Sequence, residues 1–516
     1  MNLILASCFI LFISILTFLP SFNLALFGDD WLAFFRYAMH VAPKFPGEWI
    51  NLIYFLTPYG AQDIIMGLLQ KIFGFQGSYY QYTSFALRMI AAFSLYPLVF
   101  YLTKSKLAAF FAILFFAVTT TGIETTSWVF NMPTYTTIAL FNLFLYFFIV
   151  AREDKKHIFL TISLPLYFLA YIITPIRMHG SLLFLLFLEV FWIFQKKDRQ
   201  TIKLACLRFL LLLLIFLIIK FIGQSLGPAN EPIERFTLGV TTSLELIKQG
   251  RLDFIFYPLI MLGSMLIPDF ILPAGFKNAV LLLVGGLVLI ITIYLIIKFF
   301  NRTNTSTALF LGISWSLLSF FFAWWWVPNT IYPTFHRYLI VSAVGISIIL
   351  AVIISLGRKI KNQLYLAFIP TFFLILQLIS TNYYLKLMED FHSQKLTDKI
   401  WSAMPYIPQV GKEPLVFYFE GDSSNYVILH NVLTFGFPPH MQVLYHLTEA
   451  DPAPVPMTNW NEVVSAVSDG QSFKLYGYPL KPIPIDHIFA FYLEGKDNLI
   501  NITDQARQKL LEEQPK

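Results

Sequence analysis

The chain alternates between blocks of apolar residues and short polar, mostly basic connections. Each block holds roughly 20 residues, which as a helix rise ~30 Å, the hydrocarbon thickness of a bilayer. In lipid a helix satisfies its own backbone hydrogen bonds, which an irregular chain cannot do. The pattern predicts eleven spans, at about 3–26, 80–102, 107–123, 133–151, 157–175, 178–195, 204–222, 278–299, 307–327, 336–356 and 361–381. One further apolar stretch, 254–272, is short and contains Pro258 and Pro268. Counting it as a span would put Arg302 on the wrong side, so it reads as an interfacial or re-entrant piece. The first block has no basic leader and no clear small-residue cleavage site after it, so it reads as an uncleaved anchor.

The polar connections set the orientation. Lys104 with Lys106, residues 152–156, residues 196–203, Lys298 with Arg302, and residues 358–361 all carry basic clusters. Basic loops stay in the cytoplasm. Eleven spans with a cytoplasmic N-terminus satisfy all five at once and place the C-terminus outside. The non-cytoplasmic segments are then 27–79, 124–132, 174–179, 223–277, 328–335 and everything after about 382. Two amphipathic stretches in the first of these, near 32–39 and 63–73, suit the headgroup plane. Beyond Asn382 charges return, and apolar positions recur with period two at 415–419 and 488–493. Thr503 is a candidate N-cap for a last helix at 504–513. The expected organisation is an α-helical polytopic membrane domain, 1–382, and a small extracytoplasmic α/β domain, 383–516. The expected location is a bacterial plasma membrane.

Composition agrees with the pattern. Of 516 residues 57% are hydrophobic and 13% charged, against about 25% charged in soluble domains. Mean hydropathy is +0.66. The net charge of +6 points to no nucleic-acid partner, because the cations sit in the short loops. Cys8 and Cys206 lie inside apolar blocks, which suggests neither a disulfide nor a metal site. Asn501-Ile502-Thr503 fits a glycosylation sequon that is frequent by chance.

Candidate chemistry gathers on the non-cytoplasmic side. Gly28-Asp29-Asp30-Trp31 follows the first span directly. Paired carboxylates at a membrane boundary are costly to desolvate, and one tends to keep its proton, which suits a general base. The alternative is an interfacial helix cap beside a headgroup Trp. Glu124 and Trp128, with Asn131 and Pro133, form a short polar loop after span three. A carboxylate there fits sugar or acceptor binding, or is a solvated loop acid. Arg177 and His179 open span six, and His336 and Arg337 open span ten. The guanidinium fork matches phosphate oxygens and would offset charge on a phosphate leaving group. The alternative is contact with lipid headgroups. Trp324, Trp325 and Trp326 fit an aromatic belt or a sugar-stacking platform. The chain has no Walker-type Gly-Lys-Ser/Thr loop, no Cys/His metal spacing and no His-Glu-x-x-His.

In their order and membrane side these features resemble the GT-C superfamily of integral-membrane glycosyltransferases, such as protein O-mannosyltransferases and bacterial aminoarabinose transferases. The resemblance is carried by Asp29-Asp30 after one span and by a long loop running through 58–69, Phe73-Gly74 and Tyr80 to Arg88. It is carried further by Gly122-Ile123-Glu124-Thr125-Thr126-Ser127-Trp128, and by Pro328 followed by His336-Arg337-Tyr338-Leu339. It implies a polyprenyl-phosphate sugar donor and a lipid, glycan or protein acceptor. It also implies inversion at the anomeric carbon and an aspartate base, Asp29 or Asp30. Glu124, Trp128, Arg177, His179, His336 and Arg337 would bind substrate. No metal or cofactor is implied beyond the lipid-linked sugar itself. The sequence departs from the pattern at Asp30, where many mannosyltransferases have Glu. It departs at Arg88, where relatives often have His, and at Pro175-Ile176-Arg177, where many show Lys-Glu.

Two other classes compete. A lipid or polysaccharide flippase needs ionisable groups within the spans, and Glu189 is the one strong acid there. A non-enzymatic scaffold predicts that Asp29, Glu124, Arg177 and Arg337 lie far apart.

Overall fold

The computed structural model describes residues 3–45, 48–153, 157–196, 199–226, 231–325, 327–359, 364–474, 477–478 and 481–513. Trp326 and the parts of the basic loops at 154–156, 197–198 and 360–361 lie outside the described residues. The apolar blocks form a helical bundle. α1 (Leu3–Phe18) continues as a 3-10 turn to Asn23. The first loop holds α2 (Asp29–Arg36), a π turn at Tyr37–Val41, a 3-10 turn at Leu52–Leu56 and α3 (Gly60–Phe73). There follow α4 (Gly77–Thr103), α5 (Lys106–Val118), α6 (Glu124–Ser127), α7 (Pro133–Glu153) and α8 (His157–Ile173). Next come α9 (Pro175–Met178), α10 (Ser181–Lys196), α11 (Arg199–Leu226), α12 (Glu231–Lys248) and α13 (Tyr257–Ser264). The bundle ends with α14 (Lys277–Lys298), α15 (Thr303–Trp324), α16 (Ile340–Lys359) and α17 (Leu364–His392).

Among the described residues nine helices are long and apolar enough to cross a bilayer, and they coincide with nine of the expected spans. The protein is an integral membrane protein. The third and fifth expected spans are the shorter helices α5 and α8. α5 has 13 residues, a rise of ~20 Å against ~30 Å of hydrocarbon. Residues 119–123, expected inside that span, leave the helix. A helix end leaves carbonyls without donors, and an apolar interior offers no water to replace them. Arg88, fully buried on α4, donates to the carbonyls of Ala117 (2.9 Å) and Phe116 (3.3 Å) and to that of Thr119. It also donates to the hydroxyls of Thr126 (2.9 Å) and Tyr135 (3.1 Å). From α17, the Gln377 side-chain oxygen accepts from the Thr120 amide at 2.7 Å, and its nitrogen donates to the carbonyls of Met265 and Leu266. The loop after α5 is thus held by side chains from two spanning helices.

The stretch 254–272 contains α13, only eight residues long, between two 3-10 turns. α13 lies backbone to backbone on α14. A Cβ at Gly263 would fall 2.0 Å from the Leu281 carbonyl oxygen, and one at Gly285 would fall 1.9 Å from that of Leu259. Small residues permit this approach in membrane bundles. Residues 231–248, expected as loop, form α12, which packs at Gly239 against the Trp325 backbone. Trp324 is buried, and its indole donates to the Thr330 carbonyl at 2.7 Å, so it serves packing rather than a belt or an open platform.

The C-terminal part is an α/β domain. It comprises α18 (Gln394–Ser402), β1 (Val416–Gly421), α19 (Tyr426–Ile428), α20 (Phe437–Leu444) and β2 (Val455–Met457). It continues with α21 (Trp460–Ser468), α22 (Gln471–Lys474), β3 (Ile488–Glu494), β4 (Asn498–Asn501) and α23 (Thr503–Glu513). The sheet order is β2-β1-β3-β4; β1 is parallel to β2 and β3, and β4 is antiparallel to β3. Period-two alternation puts Phe417, Phe419 and Phe491 in one core and Val416, Tyr418 and Ala490 in the other. Thr503 is the first residue of α23 rather than its cap. Its hydroxyl accepts from the Ala490 amide at 3.0 Å, and the Asn501 side chain takes the Thr503 amide at 2.9 Å. The two parts of the chain are tied where α1 ends. The Ala25 amide donates to the His392 carbonyl at 3.1 Å, and Leu24 bridges to Ser393.

Candidate active site

Five separate segments converge on one small pocket. Its walls include Asp29 from α2, Tyr59 and Gln62 beside α3, Asn131 after α6, Arg177 from α9, and Arg337 with Tyr338 before α16. The pocket holds about 60 Å³ and shares Pro58 and Tyr59 with a larger cleft of about 830 Å³ in the first loop.

Backbone pairing brings these segments together. The Gly122 amide donates to the Thr334 carbonyl at 2.9 Å, and the Glu124 amide to that of Phe335 at 3.0 Å. Gly122 has φ +68°, and a Cβ there would meet the Ile340 nitrogen at 2.4 Å, so only glycine fits this crossing. The crossing sets Glu124 beside Arg337. A Glu124 carboxylate oxygen accepts from the Arg337 amide at 3.2 Å and from its guanidinium at 3.4 Å. The guanidinium lies over the Trp128 ring at 4.1 Å. Arg177 lies over the Tyr338 ring at 4.1 Å and donates to the Asn131 side-chain oxygen at 3.4 Å. Aromatic faces hold guanidinium groups flat while leaving their edges for ligand.

The two aspartates have different surroundings. Asp30 is wholly buried, and its carboxylate oxygens accept from the Phe130 amide at 2.7 Å and the Phe27 amide at 3.0 Å. It fastens the loop after α6 to the start of α2 and does not line the pocket. Asp29 does line it. Burial raises Asp29 above the ordinary carboxylate value, against the opposing charges of Arg337 and Arg36. Burial raises Asp30 much further, against its two amide bonds, and the charge of Asp29 adds to the rise. Of the pair, Asp29 ionises first. Burial likewise raises Glu124 despite Arg337.

The remaining candidates stand apart from the pocket lining. His336 stacks on Tyr332 at 4.1 Å, and its Nδ1 accepts from the Tyr338 amide at 3.3 Å. Burial, with Arg337 and Arg177 nearby, pushes it down to about 2, so it is neutral. It shapes the turn before α16. His179 lies 3.2 Å from the Lys220 ammonium at the end of α11. Thus Asp29, Arg177 and Arg337 share the pocket, with Glu124 and Trp128 behind Arg337. Asp30, His179 and His336 do not line it.

The structure adds residues that the sequence reading did not select. Arg36 forms a two-bond pair with buried Asp63, at 2.8 and 2.9 Å, and Tyr54 donates to the same carboxylate at 3.2 Å. The Arg36 guanidinium lies against the rings of Tyr59 and Phe130 at 5.2 and 5.6 Å. Burial alone would lower Arg36, but Asp63 more than offsets it and raises it. Glu189 is no open intramembrane acid: Arg208 on α11 donates to both its oxygens, at 2.6 and 2.8 Å. Among the described residues no group of three or more His, Cys, Asp or Glu side chains is placed to hold a metal ion.

No protein-family model and no curated protein sequence matches the chain. Among solved structures it is similar to the Archaeoglobus fulgidus oligosaccharyltransferase, crystallised with Zn and sulfate. The TM-score is 0.44 and the identity 16%, over 94% of this chain and 67% of that one.

Proposed function

We propose that the protein is a glycosyltransferase that moves a sugar from a polyprenyl-phosphate donor to an acceptor at the outer face of the membrane, with inversion. The observation that carries this reading is the pocket itself. One ionisable carboxylate, Asp29, faces two guanidinium groups from separate helices, Arg177 and Arg337. That set of groups matches the needs of an inverting transfer from a phosphate. The base takes the acceptor hydroxyl proton as the new oxygen–carbon bond forms. The bond from the anomeric carbon to the phosphate oxygen breaks on the other face, and two fixed cations stabilise the departing phosphate.

The other residues then have definite tasks. Glu124 and Trp128 hold Arg337, Tyr338 and Asn131 hold Arg177, and Asp30 fixes the turn that presents Asp29. The 830 Å³ cleft beside Tyr59 is within the usual size of a ligand site and is the approach for the acceptor. On this reading the N-terminus is cytoplasmic, and the domain at 383–516 lies outside with the pocket.

Deleting the gene and extracting the lipids tests the proposal. Mass spectrometry should find a polyprenyl-phosphate sugar in excess and one envelope glycan, lipid or protein lacking that sugar. Unchanged lipid-linked sugars and unchanged glycans would contradict it.

A further inference from the structure

The pocket belongs to the membrane-embedded part of the chain; among the described residues its lining reaches no further along the chain than Tyr338. Both of its halves are gripped from the C-terminal domain. A π turn at Leu429–Thr434 leads into Phe435 and Gly436 at the start of α20. Gly436 and Gly28, with φ +81° and +58°, meet backbone to backbone. A Cβ on Gly436 would lie 2.6 Å from the Gly28 Cα, and a Cβ on Gly28 would lie 2.1 Å from the Phe435 ring. Gly28 immediately precedes Asp29 and caps α2. The same Phe435 ring meets Trp128 edge to face at 5.3 Å, and Trp128 carries Arg337 on its face. Further along α20, His440 lies flat on Trp31 at 3.6 Å and is backed by Trp401 at 3.9 Å.

We infer that Phe435 is a positioning residue. From the C-terminal domain it fixes the distance between the Asp29 end of α2 and the Trp128–Arg337 stack, while His440 pins the same first turn of α2 at Trp31. The inference rests on reading the pocket as the site of transfer. Phe435 touches no reacting group and acts through Gly28 and Trp128. The site needs such a wedge because Gly28 has no side chain of its own to pack, and its backbone is otherwise the freest point beside the base. Displacing a catalytic group by ~1 Å costs up to about a hundredfold in rate.

The test uses the full chain in lipid nanodiscs, as wild type, Phe435→Ala, Phe435→Leu and Asp29→Asn. Hydrogen exchange is read across residues 27–36, which requires no substrate. Phe435→Ala should speed exchange there and leave peptides of α7 and α16 unchanged, and Phe435→Leu, which refills the space, should restore protection. Release of decaprenyl phosphate is then read from a panel of decaprenyl-phosphate mannose, glucose, galactose and arabinose, each supplied together with an envelope extract of lipids, glycans and proteins as acceptor. For the donor that turns over, Phe435→Ala should lower kcat on the order of 10- to 100-fold with donor KM nearly unchanged, and Phe435→Leu should recover most of it. Wild-type exchange at 27–36, exchange raised equally through the whole membrane domain, or a raised donor KM with unchanged kcat would each overturn the inference. Wild-type release by Asp29→Asn would instead remove Asp29 as the base, and the exchange data would still decide whether Phe435 holds α2.

Discussion

Asp29 and Asp30 are adjacent and chemically identical, yet one faces a pocket and the other two amides. Their roles should separate on substitution. Asp30→Ala leaves the buried amides of Phe27 and Phe130 without acceptors, at a cost of roughly 1–3 kcal/mol each. It should lower the thermal midpoint and the yield of folded protein. On the proposed function Asp29 must be ionised to act as base, so activity should fall as pH drops through its raised pKa. The acid limb of kcat/KM should therefore lie above 3.8, the value of a free aspartate. Arg337 is the main charge opposing that rise, so Arg337→Met should move the limb to still higher pH while weakening donor binding. A pH–rate profile of the two proteins checks both statements; a limb that stays in place would separate Arg337 from Asp29. Sequence could select the acidic pair but could not divide its labours. What divides them is the Phe130 amide, 100 residues away in the chain.

At the scale of elements, the candidate loop after α5 is built by a polar stripe on a spanning helix. Gln81, Ser84 and Arg88 recur at helical spacing on one face of α4. They bond the Ser127 carbonyl (2.9 Å), the Thr126 carbonyl (3.0 Å) and the Thr126 hydroxyl (2.9 Å). Arg88→Leu removes the donors to the carbonyls at the end of α5, and several unsatisfied groups in an apolar interior cost about 1–3 kcal/mol apiece. The variant should melt several degrees lower and lose transfer activity with it, as differential scanning fluorimetry would show. The Glu189–Arg208 pair should behave differently. Breaking it with Arg208→Met alone buries an unpaired carboxylate and should cost ~3–5 kcal/mol, while Glu189→Leu with Arg208→Met should restore most of the stability. Full transport-like sensitivity to Glu189→Gln with no change in stability would instead assign that acid a functional role. Gln81, Ser84 and Arg88 lie at helical spacing, a stripe that the sequence reading did not single out. Its partner was hidden as well, because α5 reads as a full span until Arg88 is seen to cap it early.

For the whole molecule, the repeating apolar blocks made most of the architecture legible. The described long helices, the short helix α13 and the two principal strands all follow from block length and from period-two alternation. The pocket followed only in outline. Its residues come from helix ends that sequence can place near one membrane face but cannot bring within contact. Contact needed the Gly122–Thr334 crossing and the Asp30 clasp. His179 and His336, selected because they open spans six and ten beside the expected phosphate, lie against Lys220 and Tyr332 instead. Arg36 and Asp63, 27 residues apart in two amphipathic stretches, gave no sign that they pair across the first loop.

The central claim is that Asp29 activates an acceptor beside two cations that hold a lipid phosphate. It is tested most directly with purified wild-type and Asp29→Asn protein, given a polyprenyl-phosphate sugar and envelope lipid extract, by following the polyprenyl phosphate set free. Loss of a positioned base costs on the order of 10²–10⁴-fold, so the variant should release the lipid phosphate that much more slowly while remaining as stable as wild type. Equal release by both proteins would contradict the account.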